Sequence, residues 1–255
     1  MNKTALITGA SSGLGREFAR ICAENGYDLV ITARNTDALN ALKNELEAKF
    51  GVRVFIFGAD LSQNTSVDKI CEFVRENSLK IDILINNAGF GDHGEFAKSD
   101  LKKQLEMVQV NIASLLNLTH YFAKSMIAQN GGKILNIASA ASLTAGPKMS
   151  VYYASKAFVR NFSVALGEEL RAQNISVTAF CPGPVATNFG ERANVKNAKI
   201  FARSDDANAV AKRAFEAMQK GKTLVYDGRF MLLANLLTRI FPLKFCAKVT
   251  GFLNG

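Results

Sequence analysis

Short apolar runs rich in β-branched residues alternate with longer segments of helical periodicity along most of the chain, and this alternation sets the fold class. The runs TALIT, DLVIT, VRVFIFG, IDILIN, GKILNIAS and SVTAFC show little polar alternation, as expected of parallel strands covered on both faces. Between them, LGREFARICAENG, LNALKNELEAKFG and VDKICEFVRENS place apolar residues three and four apart, the spacing of one helix face. TLVYDG reads as a last strand. The order strand, helix, strand, helix predicts an α/β protein with a doubly wound parallel sheet. In such sheets ligands bind outside the carboxyl ends of the strands, which is where chemistry is sought.

At 255 residues and 48% hydrophobic content, one domain with a sizeable core is expected. No linker, repeat or low-complexity tract divides it. Cys22, Cys71, Cys181 and Cys246 form no C-x-x-C pair and read as buried reduced thiols. The N-terminal MNKTALITGA is broken by glycine too soon for a signal peptide, and no stretch has the length of a membrane span. A cytoplasmic protein is expected, at most attached to a membrane surface. Net charge is +9, of which residues 191–255 contribute +7 through 12 Lys/Arg against 5 Asp/Glu. These cations show no aromatic-interleaved patch, so no nucleic-acid partner is expected. His93 and His120 have no metal-ligand spacing, and no metal is expected.

The first strand runs into TGASSGLG, with Gly9, Gly13 and Gly15 separating it from a helix. Such a turn brings backbone close to a pyrophosphate and aims a helix N-terminus at its charge. The spacing is G-x-x-x-G-x-G rather than the common dinucleotide fingerprint, so alone it is equally a structural turn. The second strand ends at Ala33 and Arg34, where an NAD site would carry an acidic residue for the ribose. A guanidinium there suits a 2′-phosphate and favours NADP over NAD, although a lone arginine also serves as a solvated strand end. NNAG at 86–89, Ser139 and PGPVAT at 182–187 follow three further strands. In SVYYASKAF, Tyr152 and Tyr153 stand four and three residues before Lys156. Helix geometry leaves open which tyrosine faces the lysine.

Taken together these motifs resemble the short-chain dehydrogenase/reductase family, over essentially the whole chain to about residue 228. The resemblance implies a single Rossmann-type domain (1–228) followed by a C-terminal helical extension (229–255). It implies a cofactor loop of Thr8, Gly9, Ser11, Ser12, Gly13, Leu14 and Gly15, with Asp60 and Leu61 near the adenine and Asn87, Ala88 and Gly89 by the ribose. Pro182, Gly183, Val185 and Thr187 would hold the nicotinamide carboxamide. The catalytic set would be Asn111, Ser139, Tyr152 and Lys156, which selects Tyr152 as the acid/base and leaves Tyr153 to the pocket or to packing. Ser139 would bind the substrate oxygen, and Lys156 would lower the tyrosine pKa and bind the nicotinamide ribose. Asn111 would hold a water in a proton relay; by pattern alone it is a satisfied core amide. One departure is Ser12, where many NADP-preferring relatives carry a basic residue.

The implied activity is hydride transfer between NADP(H) and a carbonyl or alcohol. One rival is a dinucleotide-binding regulatory protein without turnover, which has no need of all four catalytic residues. Another is a relative that dehydrates or isomerises its substrate. Residues 188–204, with Phe189 and Phe201, are expected to cover the substrate, suiting an apolar carbonyl compound with an anionic end. Ser204 reads as the N-cap of the next helix, with Asp205 and Asp206 in its first turn. The tail from Arg229 has four basic residues, Arg229, Arg239, Lys244 and Lys248, no acidic ones, and helical apolar spacing until Pro242. It suits packing on its own domain or pocket, a subunit contact, or an interfacial helix on anionic lipid. The family also associates through helices beginning here near Leu105 and Tyr152, so a dimer or tetramer is expected.

Overall fold

In the computed structural model, which describes residues 2–193, 195 and 204–254, seven strands form one parallel sheet. They are β1 (Thr4–Thr8), β2 (Asp28–Ala33), β3 (Val54–Gly58), β4 (Ile81–Asn86), β5 (Gly132–Ile137), β6 (Ile175–Cys181) and β7 (Leu224–Tyr226). Their order is β3-β2-β1-β4-β5-β6-β7, and each coincides with an apolar run read from the sequence. The side-chain period of two sends Ala5 and Ile7 to one face and Leu6 to the other. All three are fully buried because helices cover both faces.

One layer contains α1 (Gly13–Glu24), α2 (Thr36–Phe50) and α8 (Ala207–Gln219), with Phe18, Leu39 and Phe215 in its core. The other contains α3 (Ser66–Glu76), α5 (Leu115–Ala128) and α6 (Ser150–Glu169), and buries Ile70 and Phe122. A helix α4 (Leu101–Val108) leads into α5 through a π-helical turn, Gln109–Ser114. The apolar run MVQVNIASLLNLTHYF predicts a helical segment here, which the structure interrupts with this turn. A π turn inserts one residue per turn and re-aims its side chains, and such turns are frequent at functional sites. The four-residue α7 (Phe189–Arg192) follows β6.

The expected cap of α8 is corrected. Its N-cap is Asp206, whose carboxylate accepts the Ala209 N–H at 2.8 Å, and the helix begins at Ala207. Ser204 lies outside it. Asp205 pairs with Arg213 at 3.0 Å, and the same guanidinium grips the buried Asp227 at 2.6 and 2.8 Å. Arg213 thus ties α8 to the residue after β7.

Beyond β7 the chain forms α9 (Arg229–Ile240) and α10 (Leu243–Asn254). Pro242 separates them, with Phe241 extended at φ −87°, ψ 144°, as the residue before proline requires. Among the described residues no helix is long and apolar enough to cross a membrane. Removing the α8 cap in Asp206→Ala is expected to cost about 1 kcal/mol, seen as a lower urea midpoint at unchanged slope.

Candidate active site

The sheet order reverses between β1 and β4: the chain runs outward from β1 to β3, then crosses back to β4. Such a reversal opens a crevice at the carboxyl ends of the strands. The two strand ends are bonded together. The Thr8 hydroxyl accepts the N–H groups of Asn87 and Ala88 at 3.1 and 3.0 Å, and the Asn87 amide donates to the Thr8 carbonyl at 2.9 Å. Behind them Asn86, fully inside the sheet, donates to Thr119 Oγ1 at 3.0 Å and Asn136 Oδ1 at 2.8 Å. Asn136 then donates to Ser163 on α6 at 2.9 Å. The NNAG element therefore braces β4, β5 and the helices below.

A cleft of about 820 Å³ opens above this reversal, large enough for a dinucleotide and part of a substrate. Gly9, Ser11, Ser12, Gly13 and Leu14 line its floor, Arg34, Asp60 and Leu61 one end, and Asn87, Ala88 and Gly89 the middle. Pro182, Gly183, Val185 and Thr187 form the opposite wall. The residues present fit the dinucleotide implied by the sequence. Gly9 adopts φ +68°, and a Cβ there would come within 3.0 Å of Ala88 Cα, so only glycine permits both the turn and the close backbone approach. Arg34 is exposed at its end of the cleft. Asp60 shapes the adjacent loop, its carboxylate accepting the N–H and hydroxyl of Ser62 at 3.1 and 2.9 Å.

Ser139, Tyr152 and Lys156 converge at the other end. Ser139 is extended at the mouth of β5 and accepts the Ala141 N–H at 3.1 Å. Lys156 is buried and donates to the Ile137 carbonyl at 2.7 Å, with Nζ 6.0 Å from the Tyr152 ring centre. Burial pushes the Lys156 pKa down to about 8, against a smaller upward pull from Cys181. It pushes the Tyr152 phenol up to about 12; a hydrogen bond with Ser139 opposes this and Tyr153 adds to it. The net shift of Tyr152 is therefore upward where the sequence reading expects the lysine to lower it, because desolvation favours the neutral form of both groups. Tyr152 is a protonated phenol at neutral pH and can donate a proton.

Tyr153 points elsewhere. Its hydroxyl donates to Asn254 Oδ1 at 3.1 Å, and Asn254 donates to the Pro147 carbonyl at 3.0 Å. Both residues line the cleft, so Tyr153 serves pocket and packing together. Phe189 packs 5.4 Å from the Tyr152 ring; Phe201, the other aromatic expected over the substrate, lies outside the described residues.

Besides Thr8, which ties the two strand ends together, Gly15 and Asn111 are expected site residues outside the cleft wall. Gly15 sits behind the loop, where a Cβ would fall 2.2 Å from the Gly9 carbonyl oxygen; its role is close packing of helix on turn. Asn111 lies in the π-helical turn, 1% exposed. Its amide donates to the Phe90 carbonyl and Ser155 Oγ, both at 3.0 Å, and accepts the Phe90 N–H at 3.1 Å. Both amide hydrogens are thus committed to protein atoms. Phe90, Met149 and Asn254 line the cleft without having been read from the sequence. Phe90 follows NNAG directly and was within reach of that motif, whereas nothing local marks Asn254. The four cysteines are free and buried. Among the described residues no cluster of His, Cys, Asp or Glu could hold a metal.

Comparison with known proteins identifies the family. The short chain dehydrogenase family profile matches residues 3–198, and the chain belongs to this family. A very-long-chain 3-oxoacyl-CoA reductase of Mus musculus is 31% identical over 195 residues, 75% of this chain and 62% of that protein. The chain thus matches less than two thirds of that relative's length. A short-chain dehydrogenase from Sphingobium yanoikuyae in complex with NADPH superposes with TM-score 0.83 at 29% identity, covering 93% of this chain and 94% of the other. A family member from Burkholderia phymatum in complex with NAD gives 0.84 at 28%, covering 92% of each. These neighbours bind nicotinamide dinucleotides of both kinds. In Gly15→Ala the added methyl has nowhere to go, and a stability loss of about 1–3 kcal/mol is expected, with weaker binding of a nicotinamide dinucleotide by fluorescence titration.

Proposed function

We propose that the protein is an NADP(H)-dependent oxidoreductase that interconverts a carbonyl and an alcohol on an apolar substrate, with Tyr152 as the proton donor. The observation that carries this reading is the convergence of Ser139, Tyr152 and Lys156 at one end of a cleft whose other end is floored by the glycine loop. The nicotinamide, when bound, supplies or accepts the hydride. The Ser139 hydroxyl orients the substrate oxygen and stabilises the negative charge that develops there. Tyr152, neutral in its dry surroundings, transfers its proton to that oxygen. The Lys156 ammonium stabilises the phenolate left behind and binds the nicotinamide ribose. Asn111 is a positioning residue: it fixes Phe90 and Ser155, and the remaining lone pair of its Oδ1 is the place for a relay water.

The NADP preference rests on Arg34 at the end of β2, which suits a 2′-phosphate. An apolar substrate is supported by Phe90, Met149, Tyr153 and Phe189 in the cleft and by the acyl substrate in the mouse relative's name. Residues 1–228 form the catalytic unit and 229–255 an extension packed on it. A homo-oligomer is supported by exposed Leu101, Leu105, Tyr121, Ile127 and Val164 on α4, α5 and α6. The extension is read as an attachment to a membrane surface from the cytoplasmic side. A regulatory dinucleotide binder is disfavoured because binding alone has no need of Ser139 and Tyr152 together beside Lys156.

The test follows NADPH and NADH absorbance over aliphatic, aromatic, acyl and steroid-like carbonyls. Tyr152→Phe should lose at least about 10²-fold in turnover, and Tyr153→Phe should keep the chemical step; the opposite pattern overturns the assignment. Reductive turnover should fall as pH rises through about 8, where the Lys156 ammonium deprotonates. Arg34→Ala should weaken NADPH binding roughly tenfold or more, the worth of a charge-assisted hydrogen bond, and leave NADH binding nearly unchanged.

A further inference from the structure

The two C-terminal helices expose many large apolar side chains. On α9, Leu232, Leu233, Leu236, Leu237 and Ile240 are 43–66% exposed. At 100° per residue they occupy one continuous arc, and the buried Met231 lies on the opposite side. On α10, Phe245, Val249 and Phe252 are 44–69% exposed and, four and three residues apart, share one face. The bend is apolar too, with Phe241 45% and Leu243 63% exposed, so exposed apolar residues continue along the chain from one helix to the next. An exposed apolar surface of this kind marks an interaction site.

Charge selects the partner. No Asp or Glu occurs from residue 229 to the end of the sequence. Arg239 borders the α9 arc, and Lys244 and Lys248, one turn apart, flank the phenylalanine stripe of α10; all three are exposed. A second copy of the chain is the competing occupant. A twofold contact sets each patch against itself, bringing these three cations against their own copies with no carboxylate in the patch to offset them. An anionic lipid surface meets both demands, burying the apolar arc and attracting the cations at its rim.

The two helices are also anchored to the rim of the cleft. Thr250 donates to the Ala145 carbonyl at 2.7 Å, Asn254 reaches Tyr153 and Pro147, and Met231 lies 4.0 Å from where a Gly183 Cβ would stand. We infer that α9 and α10 form a docking surface for an anionic bilayer. Resting on the oxidoreductase reading above, docking holds the substrate end of the cleft close to the lipid, from which an apolar carbonyl compound reaches Tyr152.

The test floats the full-length protein, loaded with NADPH, on vesicles of phosphatidylcholine alone or with roughly one third phosphatidylglycerol, attractive because each surface cation adds about fivefold in partition. Wild type should float with the anionic vesicles and far less with the neutral ones. Lys244→Gln/Lys248→Gln should lower partition about 30-fold, and Leu236→Asn/Ile240→Asn should abolish flotation, both with NADPH binding in solution unchanged as the check on folding. A lipid-dissolved long-chain ketone should then be reduced faster on anionic vesicles by wild type than by either variant, and a water-soluble ketone equally by all three. Absence of flotation at low salt, equal flotation on both vesicle types, or wild-type partition in the variants overturns the inference. So does conversion of an oligomer to a monomer by Leu236→Asn/Ile240→Asn in sedimentation velocity, which assigns the surface to a second copy. Flotation without turnover of any ketone would sink the oxidoreductase reading and leave docking standing, and turnover without flotation would do the reverse.

Discussion

The Thr8 hydroxyl accepts two main-chain N–H groups from the loop after β4, and the geometry of the cleft depends on that small knot. A parallel sheet buried on both faces leaves its strand ends as the places where polar chain can emerge. Where the strand order reverses, two such ends separate and their loops diverge. Without a link they would be free to shift against each other. Thr8 and Asn87 supply the link, and the buried run from Asn86 through Asn136 to Ser163 carries it into β5 and α6. The helix bearing Tyr152 and Lys156 is thus registered against the loop bearing Gly9 through side-chain amides rather than through loop packing alone.

Burial then sets the chemistry of that helix. Desolvation moves the Tyr152 phenol up and the Lys156 ammonium down, each toward its neutral form. The Ile137 carbonyl, 2.7 Å from Nζ, offers the lysine a hydrogen bond without a counter-charge. A carboxylate in that position would hold the ammonium more firmly and cancel its field at Tyr152. A neutral carbonyl leaves the positive charge to act on whatever anion forms nearby. In the proposed reaction that anion is the phenolate produced by proton transfer, so the lysine stabilises a charge that develops during the reaction more than one present beforehand.

Strand positions and the order of the motifs were legible because each rests on local chemistry: apolar β-branched runs for strands, glycine for turns and close approach, a four-residue step for one helix face. What was not legible depends on partners distant in the chain. The π-helical turn around Asn111 is closed by Phe90 and Ser155, 21 and 44 residues away, and nothing in the run MVQVNIASLL announces it. The net pKa direction of Tyr152 is not legible because a neighbouring cation is visible in the sequence and the depth of burial is not. The α8 cap was placed two residues early, since Ser204, Asp205 and Asp206 are all competent capping residues and only the β6–α8 connection decides among them. There Asp205 is drawn into a bridge with Val185 and a pair with Arg213. Asn254 meets Tyr153 across 101 residues, in a segment without a motif.

That last contact bears on how the substrate end of the cleft is built. The sheet and its two helical layers fix the dinucleotide end entirely from within residues before β7, but the wall beside Tyr153 is completed by the last turn of α10. Gly146 allows the Tyr153 ring to lie flat against the loop, since a Cβ there would fall 2.4 Å from it, and Asn254 then holds the ring hydroxyl from the other side. One end of the cleft therefore rests on an extensively bonded core. The other rests on two helices whose outer face is apolar and solvent-exposed, held by a few hydrogen bonds at the rim. Segments with few buried contacts open at lower free-energy cost than the core, so whatever binds the outer face of these helices also steadies the substrate wall, without disturbing the dinucleotide end.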